Sequence, residues 1–442
     1  MKRAIYIISG ILFTLLLFLI VSHIFPKSVG RFPFFVVLFL LDLYLFQSIF
    51  QRIKHLSRFM SALAFMIYWL PALLTGLLTI SLLLYPFDQW GKWIKIYVVG
   101  FIFAAYFAKL IPICILIIDD SRRLIQRFLV RKVPKPDNTS EAIPRSVFLR
   151  RLGLLSSGVL FSSLLVGMTK WVTDFRLKKV KIPVRGLPPA FSGLRIVQFS
   201  DIHLGTWASV KELDDAVTII NDLNPDVIFF TGDLVNYKTD EAFEFTGSLA
   251  RLKAPMGILA ILGNHDYGDY SNWNHPQDKK SNMEQLYDFY RNLGWKLLLN
   301  ENFILQREND SVAILGVENW GSFGRFQKYG NLETALSGVE KIPVKILLSH
   351  DPSHWQYKVL ESPVDITLTL SGHTHGAQFG FEFPGFRWSP SQYIYKYWAG
   401  LYAEANRKTN NVQYLYVNRG IGTIGYPGRV GILPEITLIE LV

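Results

Sequence analysis

The sequence predicts two parts in series: an N-terminal all-α transmembrane domain, then an α/β domain of buried strands and intervening helices. Three observations carry this. Long apolar stretches crowd the first 170 residues, strand-length apolar runs alternate with helical patterns beyond residue 180, and the charge divides between the parts. Residues 1–180 hold 23 Lys and Arg against 7 Asp and Glu, residues 181–442 hold 23 against 28, and the net +11 therefore resides in the N-terminal part. Basic character alone would suggest nucleic acid, but the second part is mildly acidic. The single cysteine, Cys114, excludes an intrachain disulfide and any cysteine-based zinc site.

The membrane part comes first. Apolar stretches at residues 4–25, 32–50, 61–85 and 93–118 each approach the ~20 residues that cross a bilayer core. No small-residue cleavage site follows the first, and four in succession make residues 1–120 a four-helix transmembrane domain. Residues 121–151 form a basic linker. A fifth stretch, "LGLLSSGVLFSSLLVGM", opens the segment 152–170 and reads as a further span, with an interfacial helix as the alternative; Trp171 suits an interface anchor.

The basic segments "QRIKHLSR", "SRRLIQRFLVRK" and "PRSVFLRR" belong in the cytoplasm by the positive-inside rule, together with Lys2 and Arg3. Five crossings then place everything after Lys170 on the outer face of the inner (plasma) membrane. "PRSVFLR" also resembles a twin-arginine export signal, but Ser146 stands at the second arginine position and the segment is internal, which marks a relic or coincidence. Asp42 and Lys109 fall inside apolar stretches, where charges are costly. A structural contact between the two is preferred over a transport role.

Residues 181–442 change texture. "LRIVQF" ends in "SDIHLG", "DVIFF" in "TGDLV", "MGILAI" in "LGNHDY", "VKILL" in "SHDP" and "DITLTL" in "SGHTHG". Each run has the length and composition of a buried strand. Helical patterns intervene, such as Val210, Leu213, Val217 and Ile220, stopped at Pro225. In such α/β folds, sites collect beyond the carboxyl ends of the strands. One polar tip is more often a self-capping turn. Five tips holding five of the seven histidines after residue 180 are hard to produce by turn chemistry alone.

The residue types suit metal ligands. Asp201 with His203, and His373 with His375, are spaced i, i+2, so in extended backbone the side chains of each pair face one way. Gly372 and Gly376 let the backbone turn closely. Mixed carboxylate, imidazole and amide donors suit Mn, Fe or Zn. They are too many for one tetrahedral zinc and enough for two divalent ions sharing a carboxylate.

The ordered set "DIH", "GDLV", "GNHD", "SHDP" and "GHTHG" resembles the calcineurin-like metallophosphoesterases over about residues 192–442. The ending "YVNRGIGTIGYPGRVGILPEITLIEL" is similar to the subfamily of membrane-attached bacterial phosphoesterases and transmembrane proteins with a metallophosphoesterase domain. The resemblance implies two packed β-sheets flanked by helices. It implies Asp201, His203, Asp233 and His375 as ligands of one ion, and Asp233, Asn264, His350 and His373 as ligands of the second. It implies His265 as the catalytic histidine with Asp266 as its partner.

His275 and His354 lie outside the motifs and receive no role. "YGDYSNWNHPQDKK" reads as a loop over the site entrance. Residues 379–402 carry ten aromatics, read either as inward packing or as an apolar wall for a lipid-linked substrate or the bilayer. The leading expectation is a membrane-anchored dinuclear phosphohydrolase cleaving phosphoester or pyrophosphate bonds of a small or lipid-linked substrate. UDP-diacylglucosamine, of lipid A synthesis, is one example; it conflicts with the outer-face topology because a nucleotide-linked precursor is cytoplasmic. The alternatives are a nuclease or nucleotidase of the same fold, and a non-catalytic membrane sensor or scaffold. Partners are membrane lipids, and no nucleic acid is expected.

Overall fold

The structure, a computed structural model, describes residues 18–19, 22–23, 30, 32–85, 87, 90–129, 145–324 and 326–442. Most of the first apolar stretch, Lys2, Arg3 and the middle of the basic linker lie outside the described residues. The chain divides into two compact units, residues 1–94 with 98–163 and residues 95–97 with 164–442.

Among the described residues, four helices are long and apolar enough to cross a membrane. They are α1 (Phe32–Ile53), α2 (Arg58–Leu84), α3 (Val99–Leu129), entered through a π-helical turn at Ile94–Val98, and α4 (Arg145–Thr169). These match the second to fifth apolar stretches. Phe39, Phe59, Met66 and Ile118 stand exposed on them. Apolar side chains facing outward suit lipid, where the helix satisfies its own backbone polar groups. A small interior forms from Leu45, Ile113 and Leu116 with Tyr44 and Tyr68 packed against it.

Asp42 and Lys109 meet as expected. Lys109 Nζ lies 2.6 Å from Asp42 Oδ1, Tyr106 donates to Asp42 Oδ2 at 2.8 Å, and Tyr68 donates to the Asp42 carbonyl at 2.6 Å. The carboxylate thus joins α1 to α3 with each of its oxygens engaged, and the Asp42 carbonyl joins α1 to α2.

The second unit begins with β1 (Arg176–Ile182), β2 (Arg195–Phe199), helix α5 (Val210–Asp222), β3 (Val227–Phe230), β4 (Ile258–Ala260), helix α6 (Pro276–Asn292) and β5 (Lys296–Leu297). It continues through β6 (Glu301–Arg307), β7 (Asp310–Gly316), β8 (Lys345–Leu348), β9 (Leu368–Ser371), the hairpin β10 (Phe381–Phe383) and β11 (Phe386–Trp388), then β12 (Gly400–Ala405), β13 (Val412–Val417) and β14 (Glu435–Leu441). One sheet has the order β1-β14-β2-β3-β4-β5 and the other β12-β13-β9-β8-β7-β6.

The period-two alternation of the strands builds the layers. Ile196, Val227, Phe229 and Leu259 of the first sheet face Ile314, Ile346, Leu348 and Leu370 of the second. The alternate residues Val197, Phe199, Ile228 and Phe230 face outward and are covered by Leu213, Val217 and Ile220 of α5 and by Leu286 and Tyr290 of α6. On the opposite side Leu347, Leu415 and Val417 are covered by Leu336, Trp355 and Leu360. This is the two-sheet sandwich flanked by helices that the resemblance implied. Strands β2, β3 and β4 run parallel, as do β8 and β9, so their polar tips emerge together at carboxyl ends.

"YGDYSNWNHPQDKK" is a loop only in its first half. Pro276 sits at the first turn of α6, where its missing N–H is no loss, and the Asp278 carboxylate accepts the His275 N–H at 3.0 Å.

We expect Lys109→Met to destabilise the full chain in detergent by about 3–5 kcal/mol, because it strands a buried carboxylate. Asp42→Asn combined with Lys109→Met should recover most of that loss, and thermal unfolding of the four forms measures it.

Candidate metal centre

Two clusters gather beyond the strands. Asp201, His203 and His375 bring ligand atoms within 4.8 Å of one another, and so do Asp233, His350 and His373. His203 Nε2 lies 3.1 Å from His375 Nε2, and His375 Nε2 3.3 Å from Asp201 Oδ1. In the second cluster His350 Nε2 lies 3.2 Å from His373 Nδ1. Asp233 stands between the clusters: its Oδ2 is 3.5 Å from His203 Nε2 and 3.2 Å from His350 Nε2.

The backbone reaches this arrangement differently from the extended pairs expected. Asp201, His203, Asp233, His373 and His375 all take left-handed φ, between 50° and 73°. Strands β2 and β9 end at Phe199 and Ser371, so these residues lie in tight turns rather than extended chain. Asp and His tolerate the left-handed region better than branched residues, and such strain gathers at functional sites. Asp201 and His203 still share a cluster, but His373 and His375 part, one to each. Close approach explains the neighbouring glycines. A Cβ on Gly372 would lie 2.3 Å from Asp201 Oδ2, and one on Gly263 2.2 Å from Asp233 Oδ1.

Surrounding bonds aim the ligand atoms. The His350 Nδ1–H donates to Thr231 O at 2.7 Å, which turns Nε2 inward. His373 turns Nδ1 inward and engages Tyr395 Oη through Nε2 at 2.8 Å, with Asp351 Oδ2 at 3.5 Å. Asn264 donates from Nδ2 to Tyr270 Oη at 2.9 Å, while its Oδ1 is buried with no hydrogen-bond partner among the described residues. A buried amide oxygen left free beside carboxylates and imidazoles fits a cation ligand. The donor set therefore fits two divalent ions.

Electrostatics agree. Burial alone would raise the Asp233 carboxyl, but His350, His265 and His203 outweigh it and hold it well below the usual range. Asp201 is likewise held low, by His375 and His350 against burial. Burial would lower His350, but Asp233 and then Asp201 push it up to about 10. Imidazolium charge thus stands where cation charge would stand.

His265 flanks the clusters. Its Nδ1–H donates to Asn236 O at 2.8 Å, its N–H donates to Asp233 Oδ1 at 2.8 Å, and the Tyr270 ring lies 4.3 Å away. Asp266 does not orient this ring, contrary to expectation. Its carboxylate accepts the N–H groups of Asp233, Leu234 and Gly263 at 2.8–2.9 Å and of Val235 at 3.3 Å. It ties the tips of β3 and β4 together, and the orienting acceptor is a backbone carbonyl. Asn236, Tyr270 and Tyr395 are thus additions to the site. Asn236 follows directly on "GDLV" and Tyr270 lies in the loop after "GNHD", whereas Tyr395 carries no local signal. His354 is buried with Nδ1 2.8 Å from Ser349 Oγ, and burial lowers it to about 3; His275 caps α6.

Comparison with known proteins adds a family. The profile described as "Calcineurin-like phosphoesterase" matches residues 194–377, and that described as "Probable Calcineurin-like phosphoesterase, transmembrane domain" matches residues 28–171. The uncharacterized metallophosphoesterase YkuE of Bacillus subtilis is 30% identical over 304 residues, 67% of this chain and 97% of that protein. The chain belongs to the calcineurin-like phosphoesterases. It is also a membrane protein, and the transmembrane match takes in all four described spans, α4 included. The transmembrane protein with metallophosphoesterase domain of Danio rerio is 32% identical over 268 residues, 59% of this chain but only 56% of that protein. The UDP-2,3-diacylglucosamine pyrophosphatase LpxG of Chlamydia muridarum is 28% identical over 284 residues, 53% of this chain and 81% of that protein.

One buried carboxyl supports the His265 loop. Glu241 Oε2 accepts the N–H groups of Asn236 at 2.6 Å and Tyr237 at 3.4 Å, and burial pushes its carboxyl from 4.5 up to about 7. Between those values the folded protein holds a proton that the unfolded chain has released. The stability it contributes is therefore full below pH 4.5 and lost as pH rises through about 7. Glu241→Gln lacks this dependence. Thermal midpoints of wild type should fall relative to Glu241→Gln as pH rises from about 5 to 8.

Proposed function

We propose that this protein is a membrane-anchored dinuclear phosphohydrolase acting on a lipid-linked phosphoester or pyrophosphate. The observation that carries the proposal is the Asp233 carboxylate set between two buried three-residue clusters, with His265 beside them. Asp201, His203, Asp233 and His375 would hold one ion; Asp233, Asn264, His350 and His373 the other. When bound, two divalent ions of the Mn, Fe or Zn kind supply an acidified water and positive charge for the phosphoryl oxygens.

The chain's own part is positioning and proton transfer. Asn236 O pins His265 Nδ1 as a donor, so Nε2 is the nitrogen left to carry a proton to the departing oxygen. Asp266, by holding the two strand tips, keeps Asp233 and His265 in register. Tyr395 and Asp351 fix the His373 ring.

The lipid-linked substrate is argued from the membrane spans and from the name of the Chlamydia relative. The outer face is argued from charge. Lys54 lies between α1 and α2, Arg58 opens α2, and the segment joining α3 to α4 is strongly basic. With both in the cytoplasm, the chain after Thr169 lies outside, whatever the first stretch does. A lipid carrying its phosphate on the outer leaflet is then the substrate.

Two experiments test this. The purified chain should hold close to two ions, and Asp233→Asn should lose the most metal. His265→Ala should keep both ions yet lose about 10²–10⁴ in rate on an alkyl phosphodiester, and less on an activated aryl one. A wild-type chain equally active after thorough chelation sinks the reading. In the second experiment, an alkaline phosphatase reporter fused after Val442 should be active outside the cell. An inactive alkaline phosphatase fusion, with a green fluorescent protein fused at the same point bright, would reverse the topology and favour a nucleotide-linked lipid of the UDP-diacylglucosamine kind.

A further inference from the structure

The β10–β11 hairpin, "FEFPGFRW", presents an aromatic face left largely exposed among the described residues. Its register pairs Phe381 with Trp388 and Phe383 with Phe386, so all four rings lie on one side of the two-stranded ribbon. Phe381, Phe383 and Phe386 are 49%, 63% and 59% exposed. The other side carries Glu382 and Arg387, and both turn towards the protein. Glu382 accepts from Arg419 at 2.7 and 2.8 Å and from Lys178 at 3.4 Å, while Arg387 Nη2 donates to Tyr402 Oη at 3.1 Å. The Arg419 guanidinium holds Glu382 down at about 2, so this charge stays on and points inward. The ribbon is amphipathic, with its aromatic side outward. Three adjacent exposed phenylalanines are a cost in water that calls for a covering surface.

Its place in the fold says which surface. Tyr426 donates its hydroxyl to Leu164 O, and the Arg429 N–H donates to Gly167 O at 3.2 Å. Gly167 is glycine because a Cβ there would lie 2.7 Å from Arg429 O. These partners sit in the last turns of α4, a helix apolar enough to cross a membrane, and Trp171 follows. The next residue, Val430, bridges to Phe379, accepts the Gly380 N–H at 2.9 Å and donates to Gln378 O at 2.8 Å. The hairpin therefore starts from the strand segment that grips the end of the span. Its far end returns to the metal centre: Ser389 donates to Gly376 O at 2.6 Å, and Tyr395 meets His373.

We infer that Phe381, Phe383, Phe386 and Trp388 dock into the interfacial layer of the same bilayer that holds the helices. Aromatic side chains favour that depth, and an apolar face a few ångströms into the headgroup boundary is a recurring mode of attachment. Docking would lay the loop carrying His373 and His375 against the membrane surface. A phosphoester could then reach the ions while its acyl chains stay in the leaflet. This last step rests on the lipid-linked reading above; the docking itself does not.

The test uses the full chain in nanodiscs of phosphatidylethanolamine and phosphatidylglycerol, with Cys114→Ser as background. Nitroxide labels at Phe383→Cys and Phe386→Cys should show an oxygen-to-nickel-chelate accessibility ratio several-fold above that of Lys280→Cys on α6. Equal ratios at the three positions would overturn the inference. Unlabelled wild-type chain with a diazirine-bearing phospholipid should yield crosslinked peptide covering residues 381–388. Crosslinks confined to the helices would overturn it too, and would leave the aromatic face to a protein partner. Metal content and turnover of a soluble aryl phosphodiester report separately on the hydrolase, so failed docking and failed catalysis cannot be confused.

Discussion

The geometry of this site depends on one buried anion. Asp233 sits at the tip of β3, almost free of solvent, and each of its oxygens is committed. Oδ1 takes the His265 N–H, and Oδ2 faces His203 on one side and His350 on the other. A carboxylate in such a place is tolerable only beside compensating charge. His350, which the same carboxylate pushes up to about 10, supplies it. The anion also dictates what cannot be there: Gly263 must lack a Cβ, because any side chain would strike Oδ1. The tip of β4 can pass over the tip of β3 only on that condition, and Asp266 then fastens the two with backbone N–H bonds.

The five strands and their order were legible because burial on both faces writes long apolar runs, and because each run stops at a residue that cannot be buried unpaired. The ordered motifs also marked the ligand set through the resemblance they carry, and the structure brings six of those side chains together in two clusters. What was not legible is how the backbone turns. The i, i+2 spacing suggested extended pairs, whereas five of these residues adopt left-handed φ. Identity does not announce such a conformation, because Asp and His are at home in strands, turns and helices alike. The same holds for the assignment of Asp266, which the resemblance made the partner of His265. The peptide between them sends the two side chains apart, and a carbonyl from residue 236 fills the vacant role. Tyr395 lies 22 residues from His373 in sequence, and only the path of the intervening hairpin brings it to the ring.

In the membrane part the same logic runs with the signs reversed. Apolar residues face outward and the interior holds the polar contact. The charges at 42 and 109 were conspicuous for being expensive there, and the cheapest resolution is the one found: a direct pair, with the Tyr106 hydroxyl on the second carboxylate oxygen. Helix boundaries were less legible. α2 begins at Arg58 rather than at residue 61, because Ser57 accepts the Met60 N–H and so caps the first turn. Hydropathy does not register a cap.

The hairpin and the metal centre are linked by a short stretch of covalent chain. Residues 426–430 hold the last turns of α4 through the Tyr426 hydroxyl and the Arg429 N–H, and the side chain of Arg429 runs back to His375 Nδ1 at 3.3 Å, fully buried. The same guanidinium donates to the carbonyls of Arg419, Gly420 and Gly422, while Arg419 itself grips Glu382 of the hairpin. Hairpin and ligand loop therefore share one set of charged hydrogen bonds, and the backbone of Arg429 ties the helix end to it. Guanidinium suits this place better than an ammonium, since its planar head offers several donors in a fixed arrangement. A displacement of the span end by even part of a residue rise would have to be taken up by Arg429 or passed on to His375. Of the two, the histidine has fewer bonds to hold it back.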